Sequence, residues 1–294
     1  MPKNSRPDNQ PASPKRRRFL QWIAGATLLG TGATAAYGER VEANDLQVVH
    51  QDIAVAGWPA GTPPLRVGQL SDLHCDRAAA LARARRAAEM LRAQRPDVVF
   101  LTGDYISEKP LRWAAPAAQA LAPLTAVPGG VFCILGNHDW TNFRWRPGDA
   151  GIVARALSEV GFTVLRNDAA PLPQAPGVWL IGLDDRFAGK QDVARALRDV
   201  LPGACKILLV HEPDYADEAP PGFALQLSGH SHGGQIRLPG LPPLHVPKYS
   251  THYPEGLQQG PHHPIYTTRG IGMIGPQMRL FCPPEVTVLN LHAA

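Results

Sequence analysis

The sequence predicts an α/β fold, with helices layered on a sheet core, and three observations carry that prediction. Short apolar runs recur along the chain, and most stop abruptly in polar residues. Stretches of helical length fall between several of them. From Phe223 onward strand-like runs continue with little helix between them.

The apolar runs, in order, are Leu65–Leu70, Asp97–Leu101, Gly130–Leu135, Val178–Ile181, Lys206–Val210 and Phe223–Leu227, followed by Pro264–Thr268 and Val286–Leu291. Their length and β-branched content favour buried strands. Ala78–Arg95 is rich in alanine and arginine, both good helix formers, and Ile152–Val160 and Asp192–Leu201 read as shorter helices. Strands alternating with helices argue for helices covering a sheet. Proline-rich Leu238–Pro247 reads as one surface loop, and no internal repeat or interdomain linker is visible.

Composition sets the class. Of 294 residues, 44% are hydrophobic and 18% charged, as in a soluble globular protein. The net charge of +4 resides in the first 35 residues, where six basic side chains face only Asp8; the remainder carries −1 and shows no basic bias toward nucleic acid. The four cysteines, Cys75, Cys133, Cys205 and Cys282, form no CxxC. That spacing excludes zinc-finger and thioredoxin readings and leaves buried free thiols.

The first segment reads as an address. A basic cluster, Lys15 to Arg18, precedes an uncharged stretch from Phe19 to Gly38, and Ala33-Thr34-Ala35 offers a cleavage site. Arg16-Arg17-Arg18-Phe19-Leu20-Gln21 resembles a twin-arginine export signal; an uncleaved membrane anchor is the alternative. Residues 1–45 are therefore expected to be signal and tether and 46–294 the catalytic domain. The expected location is the periplasm or the outer face of the cytoplasmic membrane, with the twin-arginine machinery as a partner and contact with the membrane surface.

Chemistry is concentrated where the apolar runs end. Leu70 leads into Asp72 and His74, Leu101 into Asp104, Leu135 into Asn137-His138-Asp139, Val210 into His211, and Leu227 into His230 and His232. The carboxyl ends of strands form the ligand crevice of α/β sheets. Bare carboxylates and imidazoles are costly to bury, and divalent metals remove that cost by taking O and N ligands. Asp72 and His74, like His230 and His232, are two apart and share one side of an extended strand end. The glycines around the last pair let that loop turn tightly.

This ordered set, DxH, GD, GNHD, a later lone His and GHSH, resembles the calcineurin-like metallophosphoesterase superfamily, and the tail TTRGIGMIGPQMRLFCPPEVTVLNL resembles its exported bacterial phosphodiesterase branch. The resemblance implies a four-layer α/β/β/α sandwich with two mixed sheets. It implies that Asp72, His74 and His232 hold one divalent metal, that Asn137, His211 and His230 hold a second, and that Asp104 bridges the two. The ions would be Mn, Fe or Zn. A metal-bridging hydroxide would attack phosphorus in line, and His138, oriented by Asp139, would stabilise the developing charge or protonate the leaving alkoxide.

Purple acid phosphatases carry tyrosine where this chain has Ser107, and protein phosphatases continue GD into VDRG, absent here. Both departures favour a phosphodiesterase or small phosphoester hydrolase, and the leading expectation is a phosphodiesterase acting on a small-molecule, lipid or envelope phosphoester. A UDP-sugar lipid pyrophosphatase and a non-catalytic metal-binding envelope protein are the alternatives. Glu212, Asp214, His245, His252, His262 and His263 read as loop residues outside the site. Arg269 reads equally as a phosphate contact or a structural ion pair.

Overall fold

The computed structural model describes residues 32–107, 111–140, 149–188 and 190–294. Successive side chains of a strand point to opposite faces, and here the two faces enter different cores. Val99 and Leu101 of β3 (Val98–Leu101) join one apolar cluster, whereas Val98 and Phe100 join another. β8 (Cys205–Leu209) divides the same way, Ile207 and Leu209 facing the second cluster and Leu208 a third. A strand with two apolar faces must lie between two layers, which is why these runs are continuously apolar.

Two six-stranded sheets result. The first has the order β1-β12-β2-β3-β4-β5, with β1 Gln47–Val55, β2 Leu65–Leu70, β4 Val131–Cys133, β5 Thr163–Val164 and β12 Glu285–Ala293. β12 runs parallel to β1 and antiparallel to β2, and β2 to β5 are parallel. The second has the order β10-β11-β9-β8-β7-β6, with β6 Asp168–Pro171, β7 Val178–Gly182, β9 Leu225–Ser228, β10 Gly256–Gln259 and β11 Pro264–Thr267. β7, β8, β9 and β11 are parallel, with antiparallel strands at both edges.

Helices cover the outer faces. A helix over 32–40 (α1) precedes the first strand. α2 (Ala78–Ala93) lays Ala84, Ala87, Ala88 and Leu91 on the first sheet, joined by α3 (Ala114–Ala120) and α5 (Asp149–Glu159). Gly68 of β2 lets α2 come close, because a Cβ there would meet Leu91 Cδ1 at 2.8 Å. α6 (Val193–Leu197) and the turn Pro213–Asp217 cover the second sheet through Ala196 and Tyr215. The molecule is thus the expected four-layer α/β/β/α sandwich with two mixed sheets.

Differences from the sequence reading are local. The helix expected over Asp192–Leu201 is only Val193–Leu197, capped by Asp192 accepting from Arg195 N at 2.9 Å; Pro202-Gly203 follows and forbids a long helix. β1 and α3 were not anticipated. Residues before 46 also pack on the body: Ala43 is buried, and Glu42 Oε1 accepts the N–H of Cys282 at 2.6 Å. The leader motifs at 15–21 lie outside the described residues. All four cysteines are buried and free. Among the described residues no helix is long and apolar enough to cross a membrane.

Candidate metal centre

Five strands from both sheets deliver the site. β2 ends at Asp72 and His74, β3 at Asp104, β4 before α4 (Asn137–Trp140), β8 at His211 and β9 at His230 and His232. The loops are tied to one another by main chain: Asp72 N donates to Gly103 O (3.0 Å), His74 N to Asp104 O (3.1 Å) and Gly229 N to His211 O (3.1 Å). His230 N donates to both Asp72 carboxylate oxygens at 3.1 Å, and His138 N to Asp104 Oδ1 at 2.9 Å.

Two glycines permit this convergence. A Cβ on Gly229 would strike Ser71 Oγ and stand 2.5 Å from Asp72 Oδ2, and one on Gly136 would strike Asp104 Oδ1. The backbone is strained as well. Asp72, His74, Asp104, His230 and His232 all have positive φ, between 48° and 69°. Such conformations cost of order 1–3 kcal/mol each and persist where surrounding structure holds them.

The donor atoms fit divalent ions. Metal–ligand bonds of about 2.1 Å put neighbouring ligand atoms roughly 3.0–3.4 Å apart. His74 Nε2 and His232 Nε2 are 3.1 Å apart, and His232 Nε2 lies 3.5 Å from Asp72 Oδ1. Asp104 Oδ2 lies 3.2 Å from His211 Nε2 and 3.6 Å from His74 Nε2, so one oxygen faces both ligand sets. Asp72, His74 and His232 form one group with mutually close donors, and Asp104, His211 and His230 another. Buried His74 Nδ1 and His232 Nδ1 have no hydrogen-bond partner.

The protonation states of His74, His230 and His232 agree with ligation. Thr102 O lies 2.6 Å from His211 Nδ1 and Lys248 O 2.9 Å from His230 Nε2. Each carbonyl accepts the N–H of one ring nitrogen and leaves the other as a lone-pair donor. Burial holds His74 down to about 3 and His230 down to about 4, and His232 well below its ordinary value, so these rings are neutral. Burial also lifts Asp72 to about 6. Burial opposes charge on Asp104 and His211 too, but their mutual attraction holds the carboxyl well below and the imidazole well above the usual range, so His211 carries a second proton that a bound cation would displace.

A calcineurin-like phosphoesterase family model matches residues 65–234, the span that contains every one of these donors. The chain belongs to the calcineurin-like phosphoesterase family. It is similar to the metallophosphoesterase YkuE of Bacillus subtilis, 32% identical over 95% of this chain and 98% of that protein. It is similar to the phosphodiesterase YaeI of Escherichia coli, 32% identical over 94% and 98% respectively. The UDP-2,3-diacylglucosamine pyrophosphatase LpxG of Chlamydia muridarum is 27% identical over 91% of this chain and 98% of its own. The chain is a metallophosphoesterase, a phosphoric ester hydrolase.

Within this phosphoesterase, several residues sit differently from expectation. Asp139 was expected to orient the His138 ring. Instead it accepts four backbone N–H groups, from Asp104 (2.9 Å), Tyr105 (2.9 Å), Ile106 (3.3 Å) and Gly136 (3.0 Å). Its carboxylate fixes the loop that carries Asp104. His138 is half-buried, with its ring edge-on to His74 at 5.0 Å. Asn137 is half-buried and lines the same cavity.

Glu212 is not solvated. It is fully buried beside Asp185, whose carboxyl is pushed up to about 10 by burial and by Glu212. Burial opposes charge on Glu212 as well, but Asp185 and the neighbouring His211 and His230 hold it below its ordinary value. Asp214 is instead a turn former, accepting from Thr251 N and His252 N at 2.8 and 3.0 Å. Arg269 forms the structural pair, Nε donating to Glu285 at 2.8 Å.

Arg279 was missed altogether. It is fully buried and donates to the carbonyls of Arg269 (2.8 Å), Gly270 (3.0 Å), Gly272 (2.7 Å) and Cys282 (3.1 Å). That segment backs the first ligand loop, Gly272 N donating to Asp72 O at 2.6 Å. Burial of an arginine is a tertiary property, and nothing local in "QMRLFC" announces it.

The centre opens into a cavity of about 550 Å³, with Asp104, Asn137, His138, His230 and His232 at its floor. The Leu238–Pro247 run is indeed a loop, and it contributes Leu244, His245 and Pro247 to the wall.

Proposed function

We propose that the protein is a two-metal phosphodiesterase, exported across the cytoplasmic membrane. Asp104 Oδ2, within 3.6 Å of both His74 and His211, is the observation that carries the two-metal reading. Asp72, His74 and His232 hold one ion, Asn137, His211 and His230 the other, and Asp104 both; Mn, Fe and Zn all suit this O/N donor set. When bound, divalent ions acidify water toward neutral pH and offset the charge of phosphate oxygens. His138, anchored through its backbone N–H on Asp104, protonates the leaving oxygen. Each turnover uses one water: its oxygen ends on phosphorus, the P–O bond to the alcohol breaks, and the alcohol leaves with a proton.

Turnover of bis(p-nitrophenyl) phosphate by Mn-replete protein is the test, with Asp104→Asn expected to lower occupancy at both metal sites. Full activity and two bound ions in that variant would remove Asp104 from the bridging role. In His138→Ala, activity is expected to fall while metal stays bound; unchanged rates would exclude it as the acid. A metal-binding protein without turnover would still lose metal in Asp104→Asn but would hydrolyse no diester in any chain.

A lipid pyrophosphatase activity is the second reading, favoured by the LpxG similarity. UDP-diacylglucosamine turnover exceeding that of the diester would establish it. Export rests on the Arg16-Arg17-Arg18-Phe19-Leu20 signature, with the twin-arginine machinery as partner. Cell fractionation of an Arg16→Lys/Arg17→Lys/Arg18→Lys chain tests it, and unchanged distribution would contradict it.

A further inference from the structure

The catalytic cavity is far larger than a phosphate requires, and its upper wall is apolar. Cavities of roughly 300–1,000 Å³ hold whole drug-sized molecules, and this one is about 550 Å³. The rest of the lining is mostly hydrocarbon, from Phe187, Ile236, Leu244, Pro247, Ile274 and Pro276. Of its polar side chains, His245 is exposed, and Gln235 spends its amide on the backbone of Ile274 and Pro276. A phosphoester bound at the floor therefore sends its organic part along hydrocarbon.

The mouth extends the same character into solvent. Leu238, Leu241, Leu244 and Phe281 are 47–66% exposed. They lie on two segments that are paired: Arg237 N donates to Leu280 O at 2.8 Å, and Leu280 N to Gln235 O at 3.0 Å. The chain enters the described structure beside them. Arg279 N donates to Gly38 O of α1 at 3.1 Å, and α1 carries half-exposed Tyr37 with Val41 just beyond it. Residues 32–38 of the uncharged stretch Phe19–Gly38 belong to this helix. Exposed Lys248, whose carbonyl holds His230, adds a cation near the mouth. Contiguous exposed apolar side chains mark interaction surfaces, and apolar groups flanked by cations suit an anionic lipid interface.

We propose that the substrate is a membrane lipid phosphoester: its phosphate lies on the metal-ligand floor, its acyl chain lies against the Ile236–Leu244–Ile274 wall, and the Leu238–Leu241–Phe281 rim rests in the lipid surface. This rests on the phosphoesterase reading of the floor and names the substrate class for it.

Binding tests separate the two. Mn-loaded full-length protein is titrated calorimetrically with ethyl-, hexyl- and decylphosphonate below their micelle concentrations. Each methylene that enters the cleft should raise affinity about fourfold, giving a gain of the order of a hundredfold or more across the series. Leu244→Asp and Ile274→Asp should flatten the series while elemental analysis still finds metal. A flat wild-type series, or an unchanged slope in both variants, overturns the proposal. Failure to turn over bis(p-nitrophenyl) phosphate would instead sink the diesterase reading, because the phosphonate series measures binding alone. Sedimentation with phosphatidylglycerol vesicles reads the source of the lipid. Leu238→Asp/Leu241→Asp should cut the bound fraction several-fold; equal binding by wild type and variant means a dispersed amphiphile and overturns the membrane part.

Discussion

Replacing Arg279 by lysine keeps the charge and removes the fork. Arg279 supplies five N–H groups on a planar frame, and four carbonyls receive them at 2.7–3.1 Å. An ammonium has three donors on one nitrogen and cannot span acceptors arranged around a guanidinium. At least one carbonyl loses its partner, and the spread of the four makes two the natural count. A buried polar group left unpaired costs about 1–3 kcal/mol, so Arg279→Lys should cost about 2–6 kcal/mol against a total stability of about 5–15 kcal/mol. Arg279→Met removes every one of these donors and should cost more, with only Gly270 O keeping a partner, the Glu285 N–H at 3.0 Å.

The freed segment is the one that hydrogen-bonds Asp72 through Gly272 and Ser71 through Ile271. Metal affinity should therefore fall about 10–100-fold, as for other outer-sphere changes. Urea melts of Mn-loaded protein give the first quantity, and metal-buffered titration the second. A lysine variant within about 1 kcal/mol of wild type, with unchanged metal affinity, would refute this account of the buried arginine.

Gly229→Ala should expel Asp72 from its position, since the new methyl collides with Ser71 Oγ and Asp72 Oδ2. A loss of about 1–3 kcal/mol and of first-site metal is expected, and full metal occupancy would count against the close packing. Asp185→Asn should be nearly silent in melts, because burial and Glu212 push the Asp185 carboxyl toward its neutral form, whereas Glu212→Gln should lower metal affinity; the reverse order would contradict these directions. In chelator-stripped protein the unfolded chain takes up protons below about pH 6.5 that His74 and His230, held at about 3 and about 4, refuse, so each ring weakens the fold as pH falls. Asp72, Asp139 and Asp185, lifted to about 6, 8 and 10, bind protons that the unfolded chain refuses and oppose this. A His74→Gln/His230→Gln chain should therefore gain stability relative to its parent from pH 6.5 to 4.5 in urea melts; a difference that does not change with pH would contradict the burial of neutral rings.

The legible part of the molecule was the part written in local pattern. The apolar runs of β2, β3, β4, β7, β8 and β9 mark strands because both faces are buried, and their polar ends mark the site. β1, with the burial of Gln47–Val55 mostly on alternate residues, escaped notice because an edge strand exposes half its side chains. Within the site, Asp72, Asp104 and the HxH pair were visible as residue types at strand ends. The role of Asp139 was not, because four N–H groups from two loops decide it. Glu212 and Arg279 were hidden for a related reason: a charged side chain in sequence reads as surface, and only packing reveals that Asp185 or a ring of carbonyls receives it.

The position of β12 between β1 and β2 has a consequence for biogenesis. Every other described strand precedes it in the chain, so the first sheet stays split, with a gap the width of one strand, until β12 arrives. Asp72 hangs from the far side of that gap, and Glu285 of β12 anchors Tyr266 and Arg269 across it. The centre therefore cannot take its final form until β12 has bridged β1 and β2, which makes its geometry a late product of folding.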